Sequence, residues 1–143
     1  MRKRFLVLLL PLITLVLEIL PYGAVLNFMR PAAIEGDAPG QFRELYSYFD
    51  LTPFGYANFA PLITAVITSI ILLLLIVYCL TNKQRLAIIA KNILYVCAVF
   101  SLGPLVFGIR FFSVVGALIT VTLIVELILL QYLFAKPNNK SQE

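Results

Sequence analysis

The chain has 143 residues, is 62% hydrophobic and has a mean hydropathy of +0.99. Soluble domains are about 45–50% apolar, and so short a chain cannot hide the excess in a core, so one membrane-embedded domain is expected. The net charge of +4 comes from Lys and Arg at the ends of apolar runs, a membrane pattern and not a nucleic-acid one, and the lack of His excludes imidazole chemistry and His metal ligands.

The first expected span, about 5–26, follows the basic start Arg2-Lys3-Arg4. A signal peptide fits less well, because the run is long, Glu18 interrupts it and no clean Ala-x-Ala site follows. Pro11 bends this helix, and Pro21 marks its outer end or a second bend. Pro11, Thr14, Glu18 and Tyr22 share one face, which must turn away from lipid.

The outer loop, 27–53, is the one sizeable polar segment. Phe42, Leu45, Tyr46 and Phe49 recur at i, i+3, i+4 and i+7, which predicts a short amphipathic helix in the membrane surface, the alternative being loop aromatics packed on the top of the bundle. Thr52-Pro53 reads as an N-cap with Pro at N1. The second span, about 54–80, lies in the charge-free stretch Leu51 to Asn82, longer than the roughly 20 apolar residues that cross a bilayer core. Tyr56 belongs at its outer interface with the loop aromatics. Ala57, Ala60, Thr64, Ala65, Thr68 and Ser69 give its outer half a small-residue face for close helix contact.

After the basic link with Lys83 and Arg85, the third span runs over about 86–108, kinked at Gly103-Pro104. Arg110 marks the turn. The fourth span, about 111–134, is small early on, at Ser113, Gly116, Ala117 and Thr120. A polar tail, 136–143, follows the single domain 1–135. Basic residues alternate between loops so that both termini are cytoplasmic after four crossings. The fold class expected is therefore all-α: an integral membrane four-helix bundle with a short amphipathic helix in the first extracytoplasmic loop.

Charges inside spans cost about 2.5–3.5 kcal/mol each on insertion scales. Glu18, Lys91 and Glu126 carry that cost. Glu18 is expected to contact Arg110 or loop backbone, or else to bind a proton or cation. Lys91 lies roughly 8 Å and Glu126 roughly 12 Å from the cytoplasmic ends of their helices, which predicts an ion pair between them, with snorkelling of Lys91 as the alternative. Cys79 and Cys97 read as small apolar fillers. No catalytic, cofactor or metal constellation is present.

Glu18-Ile19-Leu20-Pro21-Tyr22-Gly23-Ala24-Val25-Leu26-Asn27-Phe28 and Asp50-Leu51-Thr52-Pro53-Phe54-Gly55-Tyr56-Ala57-Asn58-Phe59 resemble short four-span membrane proteins of Gram-positive bacteria. That resemblance brings no activity and implies a bacterial inner membrane. In its embedded first-helix Glu the chain is also similar to small multidrug transporters, but its first loop is far longer, their helix-three Gly pattern is missing and it has no Trp. The function expected is a non-enzymatic accessory or subunit protein in a lipid bilayer, with a membrane-protein partner or a second copy; the alternative is a small oligomeric transporter or channel using Glu18.

Overall fold

The computed structural model describes residues 2–30, 40–51 and 58–134, apart from the side chains of 2–6, 29, 30, 41 and 42. The elements in order are α1 (Arg2–Ile19), β1 (Ala24–Arg30), β2 (Gly40–Tyr46), α2 (Ala60–Thr81), α3 (Gln84–Ser101), the single turn α4 (Gly103–Val106), a 3-10 turn (Ile109–Phe111) and α5 (Val114–Phe134). The four long helices pack in a ring: α1 touches α2 and α5, and α3 touches α2 and α5. α2, α5 and the α3–α4 stretch are each long and apolar enough to cross a membrane; the apolar part of α1, Val7–Ile19, is shorter.

Burial recurs every three or four residues on each helix. The inward residues are Val7, Pro11, Thr14 and Glu18 on α1, and Ala87, Ala90, Leu94, Cys97 and Ser101 on α3. On α2 and α5 the stripes centre on Thr64–Tyr78 and Gly116–Leu130. This 3.5-residue period is that of left-handed helix packing. The outward faces are apolar as well, with Leu73 and Val99 more than half exposed. Of the small residues expected to face inward, Thr64, Ala65, Thr68, Ser113, Gly116 and Thr120 are buried, Ala60, Ser69 and Ala117 are half-buried and Ala57 lies outside the described residues. The threonine hydroxyls bond the carbonyl four residues back (Thr64 to Ala60, Thr68 to Thr64, Thr120 to Gly116), so they need no water.

The first span is shorter than expected. α1 stops at Ile19 because Pro21 disfavours helix at the residue before it, and Ala24 to Arg30 continues as a strand. The amphipathic helix is likewise a strand. Gly40–Tyr46 pairs antiparallel with β1, with Val25 opposite Leu45 and Asn27 opposite Arg43. A short helix alone is marginal in water, whereas β1 offers a complementary row of backbone groups. The Tyr46 hydroxyl donates to Glu44 Oε2 at 2.6 Å. Residues two apart share a face on a strand but not on a helix. α2 starts at Ala60; the expected cap Thr52-Pro53 lies outside the described residues. The break at Gly103-Pro104 is present, α4 ends at Val106, and α5 begins three residues later than expected, at Val114.

Directly opposed strand residues lie about 4.5–5.5 Å apart at Cα, within disulfide reach. In a chain freed of Cys79 and Cys97, Asn27→Cys with Arg43→Cys is therefore expected to oxidise to an intrachain disulfide, visible as a mobility shift on non-reducing gels; failure of this pair to close argues against the strand register.

Candidate functional site

The site is built where α1 meets the hairpin. A helix end leaves carbonyls without intrahelical partners, and at Glu18 the hairpin fills that need. The Glu18 carbonyl accepts from Ser47 Oγ at 3.0 Å and from the Tyr48 amide at 2.9 Å. Ser47 Oγ in turn accepts from the Phe49 amide, and Asp50 Oδ2 accepts from the Ser47 amide. Tyr48 is buried, and an added Cβ at Gly23 would stand 2.7 Å from its ring. Burial, with the charge of Glu18 adding to it, raises the Tyr48 phenol above its ordinary pKa. Ser113 caps α5: it accepts from the Gly116 amide and donates to the Gly23 carbonyl, which ties α5 to the same turn.

The Glu18 carboxyl points inward and is 0% exposed. Its Oε1 accepts from Thr68 Oγ1 of α2 at 2.9 Å, while Oε2 has no hydrogen-bond partner. Thr68 Oγ1 also lies 3.5 Å from Cys97 Sγ of α3, and that sulfur is 3.7 Å from the Thr64 carbonyl. Glu126 of α5 is 1% exposed, and neither of its carboxylate oxygens has a partner.

Register brings the two acids together. Thr14 Oγ1 donates to Thr122 Oγ1 at 2.9 Å. Glu18 lies one turn beyond Thr14, towards the hairpin, and Glu126 one turn beyond Thr122, away from it. Side chains lean towards the N-terminus of their own helix. α1 and α5 are antiparallel, so the two carboxyls lean towards each other across the Thr14–Thr122 contact. Each lies within electrostatic reach of the other, and Cys97 within reach of both.

The ion pair expected between Lys91 and Glu126 does not form. Lys91 follows the buried Ala90 by one residue and so sits about 100° around α3 from the inward stripe; it is half-buried. The depth matched but the direction did not. The contact expected between Glu18 and Arg110 is also absent: Arg110 is exposed in the 3-10 turn, and Glu18 takes Thr68. Among the interface aromatics, Tyr46 is half-buried and Phe49 exposed. The Phe42 side chain and Tyr56 lie outside the described residues. Tyr22, placed on the Glu18 stripe, is 54% exposed because the helix has ended before it.

Two further polar features lie apart from the acids. Gln131 Nε2 of α5 donates to Tyr95 Oη of α3. Asn58 is 4% exposed with an unpartnered Oδ1, beside a cleft of about 10 Å³ lined also by Ser47 and Asp50, room for roughly one water. Among the described residues, no group of three or more Cys, Asp or Glu side chains could hold a metal ion. Comparison with family models, with curated proteins and with solved structures finds no match.

Thr68→Val removes the one hydrogen bond to the Glu18 carboxyl and is expected to cost about 1–3 kcal/mol, while Lys91→Gln is expected to change stability by less than about 0.5 kcal/mol. Thermal unfolding of both variants in mild detergent checks this, and a larger loss for Lys91→Gln would contradict the geometry.

Proposed function

We propose that the chain is a multi-pass membrane protein that crosses the bilayer four times with both termini in the cytoplasm. It works without enzymatic chemistry, as a small transporter or channel for protons or monovalent cations. One observation carries the reading: two fully buried carboxyls, on neighbouring helices, with three oxygens unpartnered and no Lys or Arg against them among the described residues. Buried charge is costly unless it is paired, and intramembrane acids facing an interior mark ion or proton pathways. An accessory subunit has no need of such a pair, which sets transport above that reading.

Four helices enclose little space, so the conducting unit is an oligomer of this chain in lipid. The apolar outward faces suit both lipid and a second copy.

Proteoliposomes of the purified protein are expected to dissipate an imposed proton or alkali-cation gradient. Glu18→Gln or Glu126→Gln should abolish the flux and Lys91→Gln should spare it. No flux under proton, sodium or potassium gradients would sink the reading. A thiol label at a cysteine placed in the 136–143 tail is expected to stay unreactive to impermeant reagents in intact cells; outside labelling would reverse the orientation.

A further inference from the structure

Resting on that reading of the site, we infer that its ligand is a single proton shared between Glu18 and Glu126, and not a metal cation. The two carboxyls lean together from antiparallel helices whose register the Thr14–Thr122 contact fixes. Both are buried within electrostatic reach of each other and without a counter-charge, so both cannot be ionised. One proton held by the pair removes one of the two charges and demands no extra space.

A metal cation would need more oxygens than the pair supplies. Cation sites in membrane helices recruit backbone carbonyls from unwound stretches, but α1 and α5 are unbroken at Glu18 and Glu126. The Thr64 carbonyl serves the Cys97 thiol and the Thr68 hydroxyl of its own surroundings.

Thr68 suits both protonation states of its neighbour. Against an ionised Glu18, its hydroxyl donates to Oε1 at 2.9 Å. Against a protonated Glu18, the same oxygen accepts, and its own hydrogen turns to the Thr64 carbonyl at 3.0 Å. Valine could do neither, and serine could do both. The other titratable groups facing the pair are the Cys97 thiol of α3 and the Tyr48 phenol of the segment after β2. Lys91 is turned away and α2 brings only hydroxyls.

The test is infrared titration of the protonated-carboxyl stretch in the full chain in nanodiscs, with the Glu18→Gln/Glu126→Gln double variant as the reference that subtracts all other acids. Wild type is expected to keep one protonated carboxyl at neutral pH, to gain a second on acidification and to lose the last only in base. In either single Gln variant the remaining carboxyl is expected to titrate in one step, at lower pH than the upper wild-type step, since its ionisation no longer places two charges within reach of each other. Exchanging choline for sodium or potassium at constant pH should change nothing.

Two ionised carboxyls at neutral pH overturn the inference. So does a single-variant step that coincides with the upper wild-type step, or a band that sodium or potassium removes. If a Gln variant fails to fold, the wild-type titration alone decides: two separated steps support sharing, and one combined step defeats it. The readout needs no gradient. Coupled titration without flux keeps the shared proton and discards transport, whereas sodium-driven flux without coupled titration does the opposite.

Discussion

Glu18 is held twice, and the arrangement of the molecule depends on it. Its carbonyl closes the end of α1 by accepting from Ser47 and Tyr48, and its carboxyl reaches into the interior to accept from Thr68. One residue thus joins three elements: α1, the segment after β2, and α2. The first contact satisfies a backbone group that every helix end leaves open. The second sets a charge-bearing group among side chains of which none carries the opposite charge. Tyr48, pressed against Gly23, closes that end over it.

The hydroxyls explain how such an interior holds together. Thr64, Thr68 and Thr120 occupy inward positions where soluble helix packing would favour leucine. They are small enough for close approach, and each bonds the preceding turn of its own helix. They therefore cost little in an apolar setting, yet remain available as second partners. Thr14, Thr68 and Cys97 line the space between the acids in this way. Apolar faces outside are thus combined with an apolar core that also encloses two acids, several hydroxyls and a thiol.

Much of this was legible in the residues. The face carrying Pro11, Thr14 and Glu18 was identified from spacing alone, because helical period is a local property, and the small faces of α2 and α5 were visible for the same reason. The pairing of Lys91 with Glu126 failed because it compared depth along two helices and not direction around them. Lys91 stands next to the inward Ala90, and that single step turns it out of the interior. Glu126 was correctly marked as needing a reason, but its neighbour is another acid. No rule of charge complementarity leads there; only the register of α1 against α5 does. The hairpin was missed for a different cause. Phe42, Leu45, Tyr46 and Phe49 satisfy a helical period, but β1 lies more than ten residues upstream and competes for the same backbone groups.

By itself the sequence determined the helical class, the presence of four long helices, the inward face of α1 and the misfit of charges at Glu18 and Glu126. Those depend on composition and on period, which each segment carries within itself. The tertiary structure alone decided that 40–46 is a strand, that Lys91 faces away and that the two acids lean together. Each of these is a relation between segments far apart in the chain, set by backbone pairing and helix register, and no local pattern encodes it.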